Sequence, residues 1–236
     1  MKKVIAKLAL VLVLCASFVS AASTSALQAK STQEAAKSAL KKKLKKVYKS
    51  YVKNLSTYWD VYELNCEGYD DDDVIMTHDE FFANYPLLYA YKDINGDDID
   101  ELLVLEEYPH YDDAIRGELS IYSYVKGKVK CFTNVYDYSN KISISGPEGF
   151  ENDLIFADDC KYIFVHYAVD SVSYELYKLS GKKYKRMAEY FDGEGTSCEI
   201  YDKSTKGLKD VSESEFEKYV KKALKNTCTV DWEVYK

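Results

Sequence analysis

ELSIYSYVKGKVKCFTN, residues 118–134, is the stretch that decides the fold class of this chain. Aromatic and branched side chains alternate with polar ones on both sides of Lys126-Gly127-Lys128, which is the pattern of two strands joined by a tight turn. The same pattern recurs where residues 172–179 and 184–191 surround a turn at 180–183. Two hairpins at these positions predict a largely antiparallel β-sheet.

Further strands are predicted on both sides of these hairpins, because turn-forming residues bound several other short apolar runs. These runs lie at residues 87–92, 102–106, 141–145, 154–157, 162–169, 198–201 and 228–234. Residues 86–201 are therefore expected to form a β-rich core.

A helix is predicted before this core, at residues 31–55. Ser31 and Glu34 have the sequence of a capping box, and the apolar side chains that follow repeat at helical spacing. The opposite face is rich in lysine, and such a face suits either solvent or an anionic surface such as a membrane or wall polymer. We favour an amphipathic helix packed on the domain, because its apolar side has no Trp or Phe anchors.

A second helix is predicted after the core, at residues 212–225, where Ser212 and Glu215 repeat the capping pattern. A short helix is also expected after Thr77. The predicted fold class is therefore α+β. It comprises an N-terminal amphipathic helix, a sheet of hairpins and a C-terminal helix, all in one domain covering residues 22–236.

The first 21 residues have the pattern of a signal peptide. Three lysines precede an apolar run at residues 8–19, and small residues follow it. This run is shorter than the roughly 20 apolar residues that a membrane span needs. We therefore predict cleavage after Ala21, a secreted protein and no transmembrane segment in the mature chain. A cell-envelope lipoprotein anchored at Cys15 is the alternative, although Leu14 stands where such signals have a small residue.

Charge is unevenly distributed along the 236 residues, which carry a formal net charge of −7. Residues 22–55 hold nine lysines and one acid, so the acidic side chains are concentrated in the rest of the mature chain. An acidic body predicts that nucleic acid is not a partner and favours a cation. The expected partner is an extracellular protein or a wall polymer.

Five cysteines remain after the predicted cleavage, so at least one thiol stays unpaired even if disulfides form. They are Cys66, Cys131, Cys160, Cys198 and Cys228. No C-x-x-C pair is present, which gives no support to a zinc-knuckle or thioredoxin-type site. The pairing is left open by the sequence.

YKDINGDDIDELLVL, residues 91–105, is the stretch that carries distinctive chemistry. Five carboxylates and one amide are crowded into residues 93–101, where they repel one another unless a cation lies among them. Calcium accepts six to eight oxygen ligands in irregular geometry, and Gly96 allows the sharp turn that brings alternate side chains together.

This spacing resembles the D-x-[DN]-G-D-G-x-x-D-L loop of the FG-GAP and VCBS-type calcium repeats, which recur in secreted bacterial proteins. The resemblance covers about 15 residues and implies one structural Ca²⁺ ion. The implied ligands are the side chains of Asp93, Asn95 and Asp97, the carbonyl of Ile99 and the carboxylate of Glu101. Asp98 replaces the family's glycine, and Asp tolerates a left-handed backbone better than most residues. Glu101 replaces the usual Asp, which leaves Asp100 as an alternative ligand.

The acidic segment at residues 93–101 fits neither an EF-hand nor a propeller blade. An EF-hand requires glycine and glutamate at its sixth and twelfth positions, where this chain has Asp98 and Val104. A propeller requires several blades, whereas this loop occurs once. A polar turn that binds no ion is the remaining alternative.

No catalytic motif is present, and we predict a non-catalytic binding module. A metal-assisted hydrolase using His110 or His166 is one alternative, whereas His78 more plausibly belongs to a helix cap. A glycan- or wall-binding module that needs no calcium is another, because strand tyrosines can form platforms for sugar rings. Simple strand packing is the favoured explanation of those tyrosines, which include Tyr122, Tyr124, Tyr162, Tyr167, Tyr174 and Tyr190.

Overall fold

The computed structural model describes residues 2–66, 76–109, 115–133, 141–146, 154–168, 172–193 and 195–236. The helices in these ranges are α1 (Lys2–Cys66), α2 (His78–Asn84) and α3 (Glu213–Ala223). The first seven strands are β1 (Leu87–Lys92), β2 (Glu101–Pro109), β3 (Ile115–Val125), β4 (Lys128–Cys131), β5 (Ile142–Gly146), β6 (Leu154–Ala157) and β7 (Tyr162–Ala168). The others are β8 (Val172–Ser180), β9 (Lys183–Asp192), β10 (Thr196–Asp202), β11 (Gly207–Asp210), β12 (Thr227–Cys228) and β13 (Glu233–Val234).

The predicted hairpin at residues 118–134 is present as β3 and β4. Its turn consists of Lys126 and Gly127, both with positive φ, at 51° and 78°. Positive φ at both central residues matches the twist of the flanking strands, which is why this type of turn favours glycine. The hairpin formed by β8 and β9 also turns at a glycine with positive φ, Gly181.

The strands form one sheet in the order β11-β10-β9-β8-β7-β5-β3-β2-β1-β13, with β4, β6 and β12 paired alongside. Neighbouring strands are antiparallel except β5 and β7, which are joined through a single parallel pairing of Ser145 with Tyr167. The α+β prediction with a largely antiparallel sheet is therefore confirmed.

Helix α1 extends well beyond the predicted range of 31–55 in both directions. Ser31 is inside the helix, so the expected capping box at Ser31 and Glu34 was wrong for the full chain. The physical reason is that residues 2–66 contain neither glycine nor proline, so nothing in the backbone interrupts the helix. Among the described residues, no helix has a stretch long and apolar enough to cross a membrane.

One face of α1 packs on the sheet, as the helical spacing predicted. Its buried residues are Ala36, Leu40, Leu44, Val47, Tyr51 and Leu55. All of them except Ala36 share a cluster with Leu102 and Val104 of β2, while the lysine face is largely exposed. The packed-helix interpretation is therefore confirmed. The Tyr51 hydroxyl lies within hydrogen-bonding distance of the carbonyls of Tyr85 and Glu107 and shares its one hydrogen between them, which fixes the helix to the start of β1 and the end of β2.

Strand β2 is buried on both faces, which explains the unbroken apolar run at residues 102–105. Leu102 and Val104 contact α1, whereas Leu103 and Leu105 belong to a second cluster. That second cluster also contains Val165 and residues of β8 and β9, so the sheet curls over and packs against itself. This curl positions the β3–β4 and β8–β9 turns for the site described below.

The C-terminal part of the chain differs from its prediction in two respects. The expected strand at 228–234 is two short strands: β12 pairs with β6, and β13 pairs with β1. Between these two pairings the chain crosses from β6 to β1, so it cannot remain one strand. Strand β11 was not predicted. Helix α3 is capped by Glu215, whose carboxylate accepts the Ser212 backbone N–H at 3.1 Å, as expected.

Candidate functional site

The acidic loop, defined here as residues 93–101, joins β1 to β2. Lys92 and Glu101 are paired across these two strands, so the loop is a closed turn with its ends held in the sheet. Its far side contacts α1, where the Gln33 amide nitrogen donates to the Asp98 carbonyl at 2.7 Å. The loop is therefore held by the sheet on one side and by the helix on the other.

Asp93 organises the backbone of the acidic loop. Its Oδ1 accepts the N–H groups of Gly96 and Asp97 at 2.8 and 3.3 Å, and its Oδ2 accepts that of Asp98 at 2.9 Å. The backbone turns through positive φ at Gly96 and at Asp98, at 76° and 62°. Asp98 therefore has a left-handed conformation, which Asp tolerates better than most residues.

Glu101 supports the loop from beneath and is fully buried. Its Oε2 accepts the Ile94 N–H at 3.1 Å, and its Oε1 accepts the Asn95 amide at 2.6 Å. The pKa of Glu101 is raised to about 7, chiefly by burial and to a smaller extent by the Asp97 and Asp93 carboxylates, while hydrogen bonding, in part from the Ile94 N–H, opposes the shift. Its sequence neighbour Asp100 is exposed.

The five predicted ligand residues lie on this one loop, but only Asn95 and Glu101 are joined by a side-chain hydrogen bond. Asp97 instead accepts the Ile99 N–H at 3.0 Å. Within the described part of the chain, no three His, Cys, Asp or Glu side chains are grouped closely enough to hold a metal ion. An ion would therefore require Asp93, Asp97 and Glu101 to move closer together.

Lone pairs for a cation are nevertheless present on the loop. A carboxylate offers about four acceptor positions. Three N–H groups bond to the Asp93 carboxylate, and one bonds to the carboxylate of Asp97, which is an exposed residue. These oxygens are of the kind that calcium prefers. The donor set fits Ca²⁺ by chemistry, and Glu101 fits less well because it is buried and already bonded.

A cleft of about 490 Å³ adjoins the acidic loop. It combines carboxylate and amide groups from the loop, lysines from the two hairpin turns and aromatic side chains from the sheet. Its lining residues are Thr32, Asn95, Asp97, Ile99, Tyr124, Val125, Lys126, Gly127, Phe132, Gly181 and Lys182. Opposite charges, hydrogen-bonding groups and aromatic faces in one cleft suit a polar ligand that also has apolar surface.

The three histidines of the chain are far apart in sequence, and the two that the structure describes have aromatic neighbours. The His78 ring lies 5.2 Å from Trp59 and 4.5 Å from Phe82. The His166 ring stacks on Tyr174 with centroids 4.6 Å apart. His110 lies outside the described residues. These contacts pack both rings against aromatic side chains.

Most of the strand tyrosines take part in packing, as the favoured explanation held. Tyr174 contacts Tyr190, and Tyr190 contacts Phe216 of α3. Tyr122 is buried beneath α1, where Lys43 lies 4.4 Å from its ring centroid. Tyr124 is the tyrosine that lines the cleft. The side chain of Tyr167 lies outside the described set.

A buried charged group near the end of β2 was missed by the sequence interpretation. Lys141 Nζ lies 2.9 Å from Glu106 Oε1 and 2.5 Å from Glu118 Oε2, and the Tyr108 hydroxyl donates to Glu106 at 2.7 Å. Glu106 is only 2% exposed. The sequence signal for this group was the pair Glu106-Glu107 within an apolar strand. Consecutive strand residues point to opposite faces, so one of the two glutamates faces the interior side of the sheet.

No family model, curated protein or solved structure matches this chain.

Proposed function

We propose that this chain is an exported, non-catalytic binding protein of the cell exterior or envelope, in which the acidic loop binds one structural calcium ion. The observation that carries the proposal is the position of the loop. It is held between β1, β2 and α1, and three of its residues line the 490 Å³ cleft. An ion in the loop would order one wall of that cleft, whose ligand is an extracellular protein or wall polymer.

The loop chemistry supports calcium as the ion. Asp93, Asn95, Asp97, the Ile99 carbonyl and Glu101 would supply the oxygens, with Asn95 turning its amide oxygen toward the ion. Bound calcium would neutralise part of the repulsion among these carboxylates. With a Kd near ~10⁻⁴ M and about 1 mM free calcium, binding adds about 1.4 kcal/mol to the free energy of unfolding.

A calcium titration followed by thermal unfolding tests this proposal. Calcium is expected to raise the Tm of the wild-type chain by about 3–6 °C relative to chelator, and magnesium by less. The double variant Asp93→Ala/Asp97→Ala should lose this rise. Its Tm without calcium should also be lower, because three backbone N–H groups lose Asp93 as their acceptor.

Asp60→Ala/Asp231→Ala is the matched control, because it also removes two carboxylates but from exposed positions outside the loop. This control should keep the full calcium-dependent rise. A wild-type Tm that is the same in calcium and in chelator would contradict the calcium proposal and leave an acidic turn that needs no ion.

Recognition of a glycan or wall polymer without calcium is a second candidate. The cleft lining supports it, because Tyr124 offers aromatic surface beside the amide of Asn95 and the ammonium of Lys182. Binding to a glycan array and to isolated cell wall, with and without calcium, distinguishes the two candidates. Binding that persists in chelator supports the calcium-independent glycan or wall-polymer module. Binding that occurs only in calcium supports the calcium-dependent binding protein.

Substitutions of lysines inside and outside the cleft test whether a glycan or wall polymer binds in the cleft. Lys182→Ala should weaken binding to a ligand held in the cleft. Lys185→Ala, an exposed lysine on the same hairpin that does not line the cleft, should leave binding unchanged. Equal binding by both variants would show that the ligand lies elsewhere.

Export is tested by the N-terminus of the protein from its native host. Cleavage after Ala21 predicts a mature chain that begins at Ala22 in the extracellular fraction. A lipid-modified Cys15 in the membrane fraction would support the lipoprotein alternative, and an intact N-terminus inside the cell would contradict export.

A further inference from the structure

Two cysteines that are 68 residues apart in sequence meet in the core of the curled sheet. Cys160 follows β6 and is fully buried, and Cys228 ends β12. Their Sγ atoms lie 3.7 Å apart. The sulfur atoms of a disulfide lie about 2.05 Å apart, so small side-chain movements would bring these two within bonding distance.

The backbone on both sides holds the two cysteines in place. Strand β12 pairs with β6, placing Cys228 opposite Phe156, and the Asp158 N–H donates to the Asn226 carbonyl at 2.7 Å. The Tyr184 hydroxyl donates to the Cys160 carbonyl. Cys160 therefore approaches Cys228 because the fold brings their main chains together, and not through a chance side-chain orientation.

The turn that carries Cys160 is conformationally costly. Asp158, Asp159 and Cys160 all have positive φ, at 50°, 53° and 63°. Each non-glycine residue in this region costs free energy, and three in succession are rarely maintained without a reason. Direction of the Cys160 side chain toward Cys228 is one consequence of this turn.

We propose that Cys160 and Cys228 form a disulfide in the mature protein. The reaction is exchange with an external small-molecule disulfide. The Cys228 thiolate attacks one sulfur of that disulfide and releases one thiolate, which gives a mixed disulfide. Cys160 loses its proton and attacks the Cys228 sulfur, releasing the second thiolate. The protein loses two electrons and two protons, and the external disulfide is reduced to two thiols.

The order of these steps follows from the surroundings of each thiol. Burial raises the pKa of Cys160 far above its usual value, and the adjacent Cys228 raises it further, so Cys160 is a poor initial nucleophile. Cys228 is only partly buried and is the thiol that an external reagent can reach. Cys160 then acts within the protein on a sulfur that is already adjacent.

The other described cysteines lie elsewhere in the fold. Cys131 is near the Thr133 hydroxyl, at 3.2 Å, and borders the cluster beneath α1. Cys198 is buried in the cluster between α3 and the sheet. The Cys66 side chain is outside the described set. Among the four cysteines whose side chains the structure describes, the geometry therefore brings one pair together.

This disulfide would fasten the C-terminal segment across the curled sheet. Strands β12 and β13 are only two residues long, yet they link β6 to β1. A bond from Cys228 to Cys160 fixes one end of this link covalently. Because it closes a long loop of chain, it is expected to raise stability mainly by restricting the unfolded state.

The test uses the full mature chain and a series of glutathione redox buffers, independently of the calcium proposal. Oxidised buffer is expected to remove two thiols per chain, counted with a thiol reagent in denaturant. Non-reducing tryptic mapping should then show the peptide ending at Lys161 linked to the peptide beginning at Asn226. The Tm of the oxidised chain should exceed that of the reduced chain by about 10 °C.

Cys228→Ser should abolish the linked peptide and the redox-dependent Tm shift, whereas Cys131→Ser should retain both. Peptide mapping of the wild-type chain gives a result even if a variant does not fold. Retention of both thiols in fully oxidised glutathione, or a linked peptide that joins other cysteines, would overturn the proposal.

Discussion

The side-chain amide nitrogen of Asn95 donates to Oε1 of Glu101 across the acidic loop, at 2.6 Å. Glu101 also accepts the N–H of Ile94, a residue that is 1% exposed. Two of the residues that we propose as calcium ligands therefore hold the loop to the sheet. Unfolding measurements made without calcium separate the structural role of Glu101 from any role in ion binding.

Two substitutions of Glu101 measure this support. Glu101→Gln retains an acceptor oxygen for the Ile94 N–H, and Glu101→Ala leaves that buried N–H without its acceptor. Because both remove the ionisable group, their difference reports the hydrogen bonds and side-chain packing. We expect Glu101→Ala to be less stable than Glu101→Gln by about 2 kcal/mol in urea unfolding without calcium. Equal stabilities would show that the loop does not depend on this contact.

Asp98 provides a test of the backbone conformation of the loop. Its φ of 62° favours glycine, and the Gln33 contact uses only its backbone carbonyl, which any residue retains. Asp98→Gly should therefore be more stable than Asp98→Ala by about 1 kcal/mol in thermal or urea unfolding. The reverse order would mean that the loop does not hold this residue in the left-handed region.

Lys141 tests the buried charged group. Lys141→Met leaves Glu106 buried without its ammonium partner, and we expect a loss of about 3 kcal/mol in urea unfolding. Adding Glu106→Gln should restore much of that loss, since the uncompensated charge is removed. Lys185→Met, at an exposed position, is the control and should change stability by less than about 0.5 kcal/mol. A single variant as stable as this control would contradict the assignment.

Glu107 makes stability depend on pH. It is 7% exposed, and burial raises its pKa from 4.5 to about 7. The folded chain therefore binds a proton that the unfolded chain has released between these values, so this contribution to stability is lost as pH rises from 4.5 to 7. Glu107→Gln should match the wild type near pH 4 and exceed it by about 2 kcal/mol at pH 8.

Urea unfolding of wild type and variant from pH 4 to pH 8 checks this prediction. Glu217→Gln, which removes an exposed glutamate of α3, should show no such trend. If the Glu107→Gln difference were constant across this range, Glu107 would titrate alike in the folded and unfolded chains.

Local patterns predicted much of the fold because their causes are local. Strands β1 and β6 begin and end where predicted, since turn-forming residues bound each apolar run. The capping box at Thr77 is formed, with Glu80 accepting the Thr77 N–H at 2.9 Å. The positive φ of Asp98 also follows from a short-range requirement of the turn.

Errors appeared where distant parts of the chain compete. The strand expected at 228–234 is divided because its two ends pair with β6 and β1, which are remote from each other in sequence. The start of α1 was misplaced because a capping pattern marks a helix end only where the preceding residues leave the helix. Neither outcome is visible in a short window of sequence.

The sequence by itself determined the α+β class, the helix face that is buried and the concentration of carboxylate and amide oxygens in residues 93–101. Hydrophobic period, turn residues and charge crowding act over a few neighbouring residues, so these features follow from order alone. Only the tertiary structure decided that two hairpin turns adjoin the acidic loop, that Glu106 meets Lys141, and that Cys160 meets Cys228. These contacts join residues far apart in sequence, and the curl of the sheet brings them together.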